Sequence, residues 1–158
     1  MTDPILPLRH TVATLAYRAA KATRDAPAGF AEFRAGPKSR SAGQILAHMC
    51  DLLDWALHLA QGEHIWKDTA PTTWDQDRAR FFAALQAFDA YLASGQPLGR
   101  TPQVLFQGAI ADALTHTGQI NLLRGLAGAR VRGENYARAD IQVGRVTAEQ
   151  SPSKYEFD

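Results

Sequence analysis

An all-α fold, a four-helix bundle with an irregular C-terminal tail, is predicted by three features of the sequence. Apolar residues recur at intervals of three and four through four separate windows, the period of a helix with one buried face. Three of those windows open on helix-start signals, at Ser41, Thr73 and Thr101. Three close on glycines suited to a helix stop, Gly62, Gly95 and Gly128.

The first helix is expected over residues 8–24, after Pro4 and Pro7. Its apolar arc holds Leu8, Val12, Leu15, Ala16 and Ala19, while His10 and Tyr17 fall almost opposite, which places His10 in solvent or at a partner surface. Residues 25–40 carry two prolines and two glycines and no sustained period, the pattern of a long connection crossing a bundle end. Ser41-Ala-Gly-Gln44 fits a capping box and starts a second helix reaching Gln61, with Ile45, Met49, Leu52, Trp55, Ala56, Leu59 and Ala60 in its arc. His48 falls inside that arc, whereas Asp51, Asp54 and His58 fall on the other side. Cys50 lies off the arc with no inward histidine beside it and reads as a small filler. Glu63-His64-Ile65-Trp66 follows the stop at Gly62 as a loop over a bundle end.

Thr73-Trp-Asp-Gln76 is a second capping box, opening a third helix to Ala93 whose stripe is Trp74, Phe81, Leu85, Phe88 and Leu92. An aromatic stripe at helical spacing is a core wall, and it includes no metal ligand. Thr101-Pro102 supplies an N-cap followed by proline at the first helical position, and the fourth helix runs from there to Ala127. It also carries Phe106, Ile110, Leu114 and Leu122 on other faces; a helix apolar most of the way round is deeply buried or shared with a second subunit, so a homodimer is expected. Residues 129–158 hold only short patterns, of which Ile141-Gln-Val143 is the most strand-like, and read as an extended tail lying on a single 1–158 domain, partly mobile at its terminus.

Composition excludes several classes of function. The formal net charge is +1 and basic residues alternate with acidic ones, so no basic patch recruits nucleic acid or an anionic membrane. One cysteine excludes an internal disulfide. No apolar stretch approaches 18 residues and the start has no basic segment followed by an apolar run, so a soluble cytoplasmic protein is expected.

The functional signal lies in the fourth helix. Asp112 and His116 are four residues apart, hence neighbours on one face. At 100° per residue they share an arc with Leu105, Ala109, Ala113, Ile120, Leu123 and Ala127, so a carboxylate and an imidazole sit within an apolar stripe. Charge buried there must be paired, protonated or bound to a metal. Of the five histidines, only His48 and His116 fall in apolar arcs. Helical bundles build metal sites from such inward groups on facing helices, and two imidazoles with one carboxylate leave positions open for water or substrate. A hydrogen-bonded trio that merely orients the bundle has the same pattern.

The segment Ser41-Ala-Gly-Gln-Ile-Leu-Ala-His48, and with it His116-Thr-Gly-Gln-Ile-Asn-Leu-Leu-Arg124, resembles the two ligand-bearing motifs of the DinB/YfiT-like superfamily of metalloenzymes, over about residues 5–130. The resemblance implies a four-helix bundle holding one divalent ion on three histidines. Two positions depart from it: Asp112 stands where the second histidine is usual, and Thr117 where arginine usually follows the last ligand. It implies the ligand set His48, Asp112 and His116, and a carboxylate there favours manganese, iron or nickel without excluding zinc. It also implies an enzyme acting on a small-molecule electrophile, by transfer of a low-molecular-weight thiol or by hydrolysis. No separate general base is evident, and Gln119, one turn from His116, is expected to cap the packing. The competing expectation is a non-catalytic dimeric bundle that binds a partner and whose polar trio is structural or a lost metal site.

Overall fold

The computed structural model describes residues 3–158 and shows an all-α four-helix bundle with an irregular C-terminal tail. Helix α1 spans Ile5–Thr23, α2 Ala42–Ala60 and α3 Trp74–Ala93. The fourth column is built of α4 (Pro102–Leu105), a π-helical turn (Phe106–Ile110) and α5 (Ala111–Leu126). Each column packs on two neighbours, α1 on α3 and α5, and α2 on the same pair, so α1 and α2 face each other across the diagonal.

The helices begin where side chains can satisfy their free amides. Ser41 accepts from Gln44 N while the Gln44 side chain accepts from Ser41 N, and Thr73 with Gln76 repeats the arrangement. Thr101 caps α4 by accepting from Val104 N, with Pro102 at the first position. Helix α1 starts three residues earlier than residue 8, because Asp3 accepts from Ile5 N at 2.9 Å. At the other ends Gly62 and Gly128 take left-handed φ values of 91° and 78°, conformations in which a Cβ would be strained. The expected stripes of α1 and α3 are buried save for the half-buried Trp74, and each fully buried Phe81, Leu85 or Phe88 contributes on the order of 1.5–3 kcal/mol.

Arg124 ties the last helix to the first. Its guanidinium donates to the carbonyls of Ala22 at 3.0 Å, Arg24 at 2.8 Å and Asp25 at 3.3 Å, and its Nε donates to Ala129 O at 3.0 Å. A cation there satisfies the carbonyls that the C-terminus of α1 leaves without helical partners.

Several expectations are corrected. The fourth column is not a continuous α-helix: the π turn carries one extra residue, and Ile110, placed by a continuous helix on a different face from the metal-ligand stripe, is buried beside Ala109. Tyr17 is buried because the tail covers that side of α1, where its hydroxyl donates to Glu134 Oε1 at 2.8 Å. Asp51 is also buried; Thr69 donates to it from both N–H and O–H at 2.8 Å, and Arg80 donates at 3.1 Å. Asp77 holds Thr72 in the same two-pronged way, so the loop from Gln61 to Thr73 is pinned to α2 and α3. In the tail, Ile141–Val143 forms no strand; the pairing is β1 (Gly133–Glu134) with β2 (Glu156–Phe157), antiparallel. Among the described residues no helix is long and apolar enough to cross a membrane.

Candidate metal centre

Two neighbouring helices carry the site. His48 lies in the second turn of α2, and Asp112 and His116 lie one turn apart at the start of α5. One donor atom from each residue can be chosen so that all three lie within 4.8 Å of one another. Asp112 uses both oxygens, Oδ2 at 3.5 Å from His48 Nε2 and Oδ1 at 3.4 Å from His116 Nε2. These spacings exceed the ~2.7–3.2 Å of a good N–H···O hydrogen bond. They run to different oxygens of Asp112, and with one donor atom per residue the trio spreads to 4.8 Å; ligands about 2.1 Å from one shared ion stand roughly 3.0–3.5 Å apart, so the side chains would draw in by about 1 Å to share it. By its chemistry the donor set of two imidazoles and one carboxylate fits a divalent ion.

The imidazole planes are nearly perpendicular, 88°, with centroids 4.8 Å apart. His116 Nδ1 lies 2.7 Å from Gln119 Oε1, so an Nδ1–H donates to the amide oxygen and Nε2 keeps its lone pair towards Asp112. Gln119 therefore orients the His116 ring instead of only capping the packing. Burial, assisted by the positive charge of Arg40 and by His116, lowers the pKa of His48 below the ordinary imidazole value, and Asp112 opposes that shift. Near neutral pH the His48 ring is therefore unprotonated, the state a metal ligand needs.

Asp112 is more exposed than its place in the apolar stripe predicts: 45% of its side chain is accessible, against 18% for His48 and 11% for His116. The trio stands at the mouth of the bundle and not within its sealed core. A pocket of about 300 Å³ opens on the His48 side, where Arg40, Gln44, Asp68 and Thr69 also line it. A second, of about 250 Å³, opens on the His116 side between Arg40, Ile45, Gln119, Leu122 and Leu123.

Aromatic rings cover the remaining side. Trp66, on the pinned loop, stands edge-on to His48 with centroids 5.5 Å apart, and Trp55 stands edge-on to Trp66 at 5.9 Å. The Trp55 ring in turn lies against Gly108 of the π turn, where an added Cβ would reach ordinary contact at 3.5 Å. Helical periodicity marks Trp55 as core but gives no sign that the loop residue Trp66 returns to the site.

The other candidates stand apart. His10 is exposed, and the Nδ1 of His58 is engaged with Asp54 O at 2.8 Å. His64 is exposed and stands edge-on to Trp55, 5.9 Å away. Cys50 is buried as a filler and donates to Asp77 O at 3.2 Å; burial pushes its thiol up to about 12, which makes it a poor nucleophile.

No family model, curated protein or solved structure matches the chain.

Proposed function

We propose that this protein is a divalent-metal-dependent enzyme of the DinB/YfiT-like type, transferring a low-molecular-weight thiol to a small electrophile or hydrolysing such a substrate. The observation that carries this reading is the convergence of two imidazoles and a carboxylate within 4.8 Å of one another beside open pockets. His48 and His116 would hold the ion through Nε2, and Asp112 would supply the anionic ligand. A bound divalent ion lowers the pKa of a coordinated thiol or water, making a nucleophile available near neutral pH.

The chain's own residues contribute position and access. Gln119 fixes the tautomer of His116, so Nε2 faces the shared centre without a proton. Asp112, half exposed, brings a negative charge that compensates part of the cation's charge while leaving its outer side accessible. Trp66 and Trp55 shield the flank of His48, and the Thr69 anchor on Asp51 holds the loop that carries Trp66. The donor set accommodates nickel, manganese, iron or zinc.

The test is elemental analysis of protein purified without an affinity tag or nickel column, with His48→Ala and Asp112→Ala in parallel. About one divalent ion per chain is expected, lost in both variants while circular dichroism stays helical. Retention of the ion in His48→Ala, or none after reconstitution of the unaltered protein, removes the metal centre and leaves a structural trio.

A further inference from the structure

The two pockets beside the trio differ in chemistry. The one beside His48 is lined by Asp51 and Asp68 as well as Arg40, and so offers carboxylates to its contents. The one beside His116 has no carboxylate in its lining: Ala35, Ile45, Leu122 and Leu123 form apolar walls, and Ser39, Arg40, His116 and Gln119 supply the polar edge. Arg40 borders both, and it is the only formal charge of fixed sign at the second.

Several other arginines of the chain have an occupant for their guanidinium. Arg9 pairs with Asp89 at 2.9 Å, Arg80 with Asp51 at 3.1 Å and Arg145 with Asp140 at 3.2 Å, while Arg124 is spent on helix-end carbonyls. Arg40 has neither a hydrogen bond nor a carboxylate within 4.0 Å among the described residues. It sits immediately before the capping box of α2, where Ser41 and Gln44 fix the backbone direction. A guanidinium presents a planar fork matched to carboxylate or phosphate. Leu122 is 64% exposed although it walls this pocket, an apolar surface suited to a ligand's body.

We infer that the pocket between α2 and α5 takes a small organic anion, its carboxylate on Arg40 and its apolar body against Ile45, Leu122 and Leu123. As a statement about substrate it rests on the metal reading, because His116 lines the same pocket and would bring the ion to the ligand's other end. As a statement about binding it stands on Arg40 and the apolar walls alone. Phenylbutyrate matches the description, and its amide, equal in shape and without charge, is the control.

The experiment is a calorimetric titration of 4-phenylbutyrate and 4-phenylbutanamide into metal-free and zinc-loaded protein, for the unaltered chain, Arg40→Gln and Leu122→Asn, with zinc content measured on each sample. Phenylbutyrate is expected to bind about tenfold or more tightly than the amide. Arg40→Gln should abolish that preference at unchanged zinc content, and Leu122→Asn should weaken both ligands alike. Equal binding of the two ligands, binding of neither at millimolar concentration, or full phenylbutyrate affinity in Arg40→Gln overturns the assignment. The metal reading fails separately. Phenylbutyrate binding that survives Arg40→Gln but disappears with zinc places the carboxylate on the ion, overturning the Arg40 site and keeping the metal. Arg40-dependent binding in a chain that takes up no zinc keeps the anion pocket and discards the metal centre.

Discussion

Gln119 illustrates how much a single exposed side chain can decide. Its amide oxygen, 2.7 Å from His116 Nδ1, fixes which ring nitrogen carries the proton. Without that acceptor the ring samples both tautomers and rotates more freely, so part of its ordering cost falls on metal binding. Gln119→Leu is expected to weaken zinc affinity by about 10–100-fold. The melting temperature of the metal-free protein should change little, because residue 119 is exposed. Competition titration against a chromophoric chelator measures the affinity; an unchanged value would reduce Gln119 to a packing role. Residue types and helical spacing brought His48, Asp112 and His116 forward correctly as one group. They did not show that Asp112 stands half in solvent, because a helical wheel gives the direction of a side chain and not the depth of the helix at that point.

At the scale of elements, α2, α3 and the fourth column were legible because start caps, stop glycines and apolar stripes agree, and α1 because of its stripe. The π turn was not, since Phe106-Gln-Gly-Ala-Ile differs in no local respect from ordinary helix; the extra residue lets Leu105, Ala109 and Ile110 all reach the core ahead of Asp112. The two acid-to-threonine anchors were equally invisible, as Asp51 lies off the apolar arc and is buried only because the loop folds back over it. Each anchor needs two acceptor oxygens, one for the threonine N–H and one for its O–H. An asparagine offers one oxygen and one donor nitrogen; the threonine hydroxyl can turn to accept from that nitrogen, but at Asp51 the Arg80 guanidinium, which donates to Oδ1 at 3.1 Å, then meets a donor and loses its charge partner. Asp51→Asn is expected to cost about 1–3 kcal/mol, read as a lower urea midpoint at unchanged m-value. An unaltered midpoint would mean that the loop is held elsewhere.

For the whole molecule, the tail is part of the structure and not an appendage. Lys21 and Glu134 are both buried, 3.7 Å apart, with Tyr17 donating to the same carboxylate and Glu156 3.9 Å from the lysine. Gly133 and Phe157 pair across the two short strands, so the tail's first and last turns lie together over α1. Periodicity within α1 placed Tyr17 opposite the core because nothing local to the helix reveals a layer arriving more than a hundred positions later. Glu134→Ala strips Lys21 and Tyr17 of that partner within a buried site. About 3–5 kcal/mol of stability should be lost, with unfolding by urea followed by circular dichroism as the readout; a loss below ~1 kcal/mol would show that the tail is only loosely applied.

Arg124 carries a further implication, for the order in which the chain becomes a protein. Its carbonyl partners lie at residues 22–25, and the helix it terminates also bears His116, whose neighbour in the trio is His48. Contacts so distant in sequence close late, because the intervening chain must be ordered first. As the polypeptide leaves the ribosome, α1, α2 and α3 emerge with one side of the core bare and only one of the three donors present. The site is born complete, with the last column, or not at all.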